Sequence, residues 1–532
     1  MSKLIQTRMY LIIRQHIESH RHAVAFIFLT ALLLMPGLAA AQVEAGAQGA
    51  GSRAVHLPLS GRQQGGVSVQ QTASPGSESS VNTLSNQIQI QGAYSGSVPA
   101  QDVPAGAITL TMADAIRMGL ATNLGRIGSD TAASMANAER LQARSSLLPN
   151  LSASLSENAA KVDLAAEGFS NSAFGLSTAF AFPTVVGPFH YYDIHGSLQQ
   201  SILDLTALHN LHSQDDSAAA AGLNARQARE EVVLAVTAVY LRVLASEALI
   251  AAQQSEVQYA ERSYRQAKAQ ADAGNKAPID ANRSLVELQT EQQRLRSQSG
   301  EMEKQKNELA RLIGLPLGRR IDLEETLESL PPVTLSPEEA IRRAWSQRQD
   351  LKSATAQLAA AEEARKAAAS ERLPSVSVNG QYGLEGVNPD EGSNVFQASA
   401  SLSVPIFTGG RIRADIQQAN AVVEQRRAEL ADQRGAVELD VRNAFIDLEV
   451  ANQEVATAES NQKLALATLQ QSQDRFAVGV ADSVEVVNSQ ESLATANHDY
   501  VSSLFSQYVA RISLAHAMGE AEKDVTDLFK RN

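Results

Sequence analysis

The 532-residue chain predicts a mainly α-helical fold with a small antiparallel β part, internally duplicated. Three observations carry this. Short motifs recur in the same order in two halves of the chain. Two proline-free stretches of about 67 residues each carry a helical apolar stripe. Four segments alternate apolar and polar residues, as half-buried strands do.

The duplication is read from paired motifs. Leu110–Ile116 (LTMADAI) matches Leu335–Ile341 (LSPEEAI), and Leu148–Ser154 (LPNLSAS) matches Leu373–Asn379 (LPSVSVN). Ser197–Leu203 (SLQQSIL) matches Ser401–Phe407 (SLSVPIF), and Gly274 matches Gly479 as the close of a long helix. A period above 200 residues is too long for a solenoid, so this is a duplicated domain. Residues 106–330 form the first repeat and 331–532 the second.

The long helices are expected at 206–272 and 411–477. Val232, Val236, Val239, Val243 and Ile250 fall at spacings of 4, 3, 4 and 7, and Val437, Val441, Ala444, Leu448 and Val455 repeat them. Such spacing places all five on one stripe of coiled-coil type. At 1.5 Å per residue each helix spans ~100 Å. Four helices of about half that length are expected near 110–147, 280–312, 336–372 and 482–518. A short helix leads up to the strands, a long one runs down, and a short one returns halfway. Residues 313–334, with Pro316, Pro331 and Pro332, cross the middle of this rod.

The strands follow a period of two: Leu151, Ala153, Leu155; Tyr192, Ile194, Gly196, Leu198, Gln200; Val376 to Leu384; and Phe396 to Ile406. Aromatic residues gather between Phe169 and Tyr192, as a membrane-interface girdle requires. No run of 18 or more apolar residues follows the first 41, so a membrane-spanning helix is not expected. Alternating strands enter a membrane as a barrel, but four cannot close alone. Sharing between protomers follows.

The start reads as a secretory signal over residues 1–41. Lys3, Arg8, Arg14 and Arg21 against Glu18 precede an apolar run from Ala23 to Met35, then Pro36-Gly37 and Ala39 to Ala41. The run falls short of the ~20 residues needed to span a bilayer. Residues 42–105, rich in Gly, Ser, Gln and Ala, read as a flexible extension with a short strand at Ile88–Ile90.

Composition excludes several function classes. There is no Cys, hence no disulfide, thiolate metal site, cysteine nucleophile or lipidated cysteine. With 45 basic and 58 acidic residues the net charge is −13, which argues against nucleic acid as a partner. No nucleophile elbow, P-loop or dinucleotide fingerprint occurs. The chain is not expected to be an enzyme, and no catalytic residue, cofactor or metal ligand is assigned.

Leu402–Arg411 (LSVPIFTGGR), Arg475–Gly479 (RFAVG) with Ser483–Val487 (SVEVV), the Ala115-Ile116 and Ala340-Ile341 helix openings and the two Leu-Pro junctions resemble the TolC-like outer-membrane efflux proteins. The resemblance covers about 106–520. It implies a homotrimer in the outer-membrane lipid, with a shared transmembrane β-barrel continuing as a long α-helical barrel across the periplasm. It also implies docking to a periplasmic adaptor (membrane fusion) protein and an inner-membrane transporter, for efflux or type I secretion. Without a cysteine to lipidate, anchoring rests on the barrel. The alternative reading is a periplasmic elongated coiled-coil adaptor, which has no need of four amphipathic strands.

On this resemblance Pro405, Gly409, Gly410 and Arg411 form the strand-to-helix junction. Gly274 and Gly479 mark the tip turns, and Asp280, Phe476, Asp482 and Glu485 are the aperture candidates. An aromatic, a basic and acidic residues hold the tip in well-known members; here Ala481 and Asn488 stand where a basic and an acidic residue are expected. Carboxylates repeated by threefold symmetry form acidic rings that favour cations. The competing reading for Asp482, which precedes a helix, is capping. His209 and His212, with Asp215 and Asp216 nearby, have metal-like spacing on one helix face but read as solvated surface.

Overall fold

In the computed structural model the described residues are 67–69, 88–90, 92–99, 106–164, 166, 184–274, 276–388 and 390–523. The signal segment, most of 42–105 and the aromatics from Phe169 to Phe182 lie outside them.

The order helix, helix, strand, strand, long helix, helix occurs twice. In the first half it runs α1 (Met112–Thr122), α2 (Leu124–Ser145), β4 (Asn150–Asp163), β5 (Val185–Leu203), α3 (Leu205–Asp272) and α4 (Pro278–Leu312). In the second it runs α5 (Pro337–Gln347), α6 (Gln349–Ser370), β7 (Ser375–Gly386), β8 (Ser393–Ser403), α7 (Arg411–Ala477) and α8 (Ser483–Met518). Helices α3 and α7 have 68 and 67 residues.

Two corrections concern the helices expected near 110–147 and 336–372, each of which is broken in two. Asn123 is fully buried, its side chain accepts from the Gly125 N–H at 2.8 Å, and its Nδ2 donates to the Tyr94 carbonyl at 2.7 Å. Asn123 thereby caps α2 from within. Arg348 breaks the second pair. Its Nη2 and Nη1 pair with Asp350 at 2.6 Å and with Asp440 of α7 at 2.7 Å. Neither break has a proline to announce it.

Within 42–105 the short strand expected at Ile88–Ile90 is present. Ile88–Ile90 (β2) pairs antiparallel with Val67–Val69 (β1), and residues 92–95 form a 3₁₀ turn whose Tyr94 packs on the main core. A third correction concerns the last strand, expected to Ile406, which ends at Ser403. Pro405 has no N–H to continue a ladder.

The core lies where the chain crosses the middle of α3. Every residue from Val232 to Leu241 is buried. They meet Ala115 and Ile116 of α1, Phe505, Tyr508 and Ile512 of α8, and Leu315 and Ile321 from the segment linking α4 to α5. That segment adds β6 (Ile321–Leu323) in parallel to β3 (Ile108–Leu110), and the Tyr240 hydroxyl donates to the Leu110 carbonyl at 2.9 Å. The corresponding core of the second half joins Ala340, Ile341 and Ala344 to Val437, Val441, Ala444 and Leu448. One 18-residue window of α3 has a mean hydropathy of 1.8, unlike the expectation of no span-like segment, but 72% of it is buried in this core.

In the upper half the helices lie side by side as α2, α3, α6 and α7. Arg140 pairs with Asp215, Ser213 Oγ donates to the Ala360 carbonyl, and Arg426 donates to Gln357. Above them β4, β5, β7 and β8 form one antiparallel sheet in that order.

Candidate functional site

Three places along the chain carry the sequence candidates: the sheet, the junction beneath it and the far turns.

The register gives the sheet two different faces. Ala153, Gly196, Tyr382 and Phe396 align in one row, and Leu151, Leu198, Gly380 and Ala398 in the next. The opposite face aligns Ser152, Ser197, Gln381 and Gln397. There Ser152 and Ser197 share a hydrogen bond of 2.6 Å, and His195 Nδ1 lies 2.9 Å from Asp193. On the apolar face Leu151 is 79% and Phe396 81% exposed. A monomeric soluble protein rarely leaves such a face uncovered. The outer edges of β4 and β8 have no ladder partner among the described residues.

At the junction the two halves differ. In the second, Val404 to Gly410 link β8 to α7, with Gly409 at φ 63° and Gly410 at φ 91°. The left-handed backbone at Gly410, the N-cap, explains why glycine stands there. Arg411 Nη1 pairs with Glu371 at 2.5 Å and Asp415 at 2.8 Å, fastening the start of α7 to the end of α6. In the first half one residue, Asp204, makes the link and caps α3 by accepting from the Ala207 N–H at 2.9 Å.

At the far end Gly274 (φ 75°) and Gly479 (φ 79°) turn α3 into α4 and α7 into α8. Phe476 is only 3% exposed and packs with Ala267, Leu469, Ala481 and Val486. Lys276, from the first turn, lies 5.2 Å above the Phe476 ring and donates to the Ala481 carbonyl at 3.2 Å. A cation of the first hairpin thus lies against Phe476 and Ala481 of the second. Ser483 Oγ donates to Asp280 at 2.7 Å, a second link between the hairpins. Asp482 accepts from the Glu485 N–H at 3.0 Å as a helix cap. Glu485, 38% exposed at its side chain, pairs with Arg475 at 3.1 Å. The structure therefore gathers Asp280, Phe476, Asp482 and Glu485 at one end. Sequence reading missed Lys276 and Ser483, whose only local signal is their place beside the turn residues.

Between tip and core, α3 and α4 bury carboxylates. Burial first, then the charges of Glu291 and Glu287, push Glu256 up to about 7 despite a hydrogen bond from Asn497. Burial and Glu291 likewise push Glu287 up to about 7.

Residues 340–520 match the family model described as outer membrane efflux protein. No curated protein matches the chain by sequence. Three solved structures are similar in fold. The Campylobacter jejuni CmeC outer membrane channel is 14% identical at a TM-score of 0.66, over 91% of this chain and 98% of its own. The open state of the Neisseria gonorrhoeae MtrE outer membrane channel is 17% identical at 0.65, over 88% and 98%. The outer membrane protein VceC from Vibrio cholerae is 17% identical at 0.65, over 77% and 96%. Residues 340–520 thus match the outer membrane efflux protein family, and the chain shares the fold of these outer-membrane channels.

Proposed function

We propose that this protein is an outer-membrane exit duct for efflux or type I secretion: a passive, non-enzymatic trimeric channel whose helical part stands in the periplasm. The observation that carries the reading is the four-stranded sheet with an exposed apolar face, a polar face and two edges unpartnered among the described residues. Three copies joined β8 to β4 close a twelve-stranded barrel, three times the four strands of one chain. The same head-to-tail contact sets α7 of one copy against α2 of the next, and a repeated contact of this kind closes a ring. Residues 106–330 and 331–532 are then two repeats of one building block.

The duct docks a periplasmic adaptor and an inner-membrane pump, which supplies the energy. Opening untwists the helix pairs at the tip, and in this chain that motion breaks the Lys276–Ala481 and Ser483–Asp280 links. Glu485 and Asp280, repeated around the opening, give it a cation preference; Asp482 caps and Phe476 holds the hairpins together. An elongated periplasmic adaptor, the other reading of long helical hairpins, leaves the sheet unexplained.

Detergent-purified protein should run as a trimer and conduct in planar bilayers. A monomer without conductance overturns the proposal. Ser483→Ala should raise the open fraction, and Glu485→Gln should lower cation preference without changing assembly.

A further inference from the structure

His209 and His212 lie one turn apart on α3, just below the sheet, and so share a helix face. The third group comes from elsewhere. Glu363, on α6, places Oε2 at 2.8 Å from His209 Nδ1 and 3.9 Å from His212 Nδ1. One ligand atom from each of the three residues lies within 4.8 Å of the other two. The backbones are locked together at this level: Ser213 Oγ donates to the Ala360 carbonyl at 2.9 Å, and Ser353 Oγ to the Ala220 carbonyl at 3.2 Å. Lys366 Nζ takes the other carboxylate oxygen, Oε1, at 2.7 Å. That contact orients Glu363 from outside, as an outer-shell partner does, and leaves Oε2 to the histidines.

We propose that His209, His212 and Glu363 bind one divalent transition-metal ion per chain and so clamp the first repeat's long helix to the second repeat's short one. Two imidazole nitrogens and one carboxylate oxygen suit zinc and its neighbours. Calcium and magnesium require all-oxygen sites. The half-exposed side of His212 leaves water access for the remaining coordination position. Asp216, one turn beyond His212, is near enough to feel the Glu363 charge and adds negative potential. Because the site needs residues 154 positions apart, the ion binds the folded chain and not the unfolded one, and stabilises it by mass action.

The test uses the full chain in detergent, stripped with a chelator and titrated calorimetrically with zinc chloride. The expected result is one saturating zinc per chain, a rise in the thermal midpoint on zinc addition, and visible ligand-field bands with cobalt. His209→Ala, His212→Ala and Glu363→Gln should each weaken zinc at least about tenfold. All three should keep the elution volume and helical circular dichroism of the parent. Absence of saturable binding to the parent overturns the proposal, as does unchanged zinc affinity in the histidine variants. Glu363→Gln, which preserves shape, separates lost ligation from lost folding. Counting ions per chain keeps the outcome independent of oligomeric state and conductance.

Discussion

Helices α3 and α7 have nearly the same length and the same apolar stripe, yet they are buried in different ways. With Val232 aligned to Val437, Leu234 matches Leu439, Leu241 matches Ile446 and Ala245 matches Val450. The first of each pair is buried and the second exposed. In α3 the centre is enclosed by α1, α8 and the segment linking α4 to α5, so apolar residues on every side are used within the chain. In α7 the stripe through Val437, Val441, Ala444 and Leu448 is covered, and the face through Leu439, Ile446 and Val450 is not. Equal sequence character with unequal burial fits the proposed ring, in which another copy of the chain would cover this face.

Mutating one aligned pair tests this contrast most directly. Leu241→Ala should cost about 2–5 kcal/mol in denaturant unfolding. Ile446→Asp should leave helical content and unfolding midpoint almost unchanged and lower the oligomeric state measured by light scattering. Equal destabilisation of both would show that α7 needs no partner. Next come the two helix breaks. Arg348→Ala leaves Asp350 and Asp440 without their cation and should cost about 3–5 kcal/mol. Asn123→Ala loses a cap and should cost about 1 kcal/mol.

A third test uses pH. Glu256 is buried on α3, whereas its match on α7, Asn461, is exposed. Glu256 and Glu287, both raised to about 7, face Glu291 and Arg294 on α4 and Glu491 and Asn497 on α8. A carboxyl whose folded pKa is raised binds protons in the folded state first. Stability should therefore fall as pH rises from about 4.5 to 7. Thermal midpoints recorded across this window should drop, and Glu256→Gln should flatten the drop; a midpoint that rises instead would contradict the burial of these groups. The smallest effect belongs to the junctions: Asp204→Ala should cost about 1 kcal/mol by chemical denaturation.

Local pattern made much of the fold legible. Proline-free length and the apolar stripe set α3 and α7 to within a residue or so at each end. Alternation located the four strands, and Pro405 marked where the last one stops. What stayed hidden depends on residues far apart in sequence. Asn123 and Arg348 end helices because Tyr94 and Asp440 receive their side chains, and neither partner is visible in a helical window. His209 and His212 stand out in the sequence, but with Asp215 and Asp216 beside them; Glu363 becomes their neighbour only when the second repeat packs on the first. At the tip, the turn glycines and Phe476 were readable, while the contact of Lys276 with Phe476 and Ala481 across the two hairpins was not.

The loop after β8 leaves Ile406 and Phe407 side by side, 96% and 90% exposed. Together with the bare strand edges and the apolar sheet face, this makes the newly folded subunit a hazard to itself. Each unassembled chain offers two templates for strand addition and an adhesive rim beside them. On the proposed trimer, biogenesis becomes a race between orderly closure with two sister chains and promiscuous stacking in the aqueous compartment. A cell making this protein in excess over its insertion capacity would accumulate precipitate before it accumulated spare subunits.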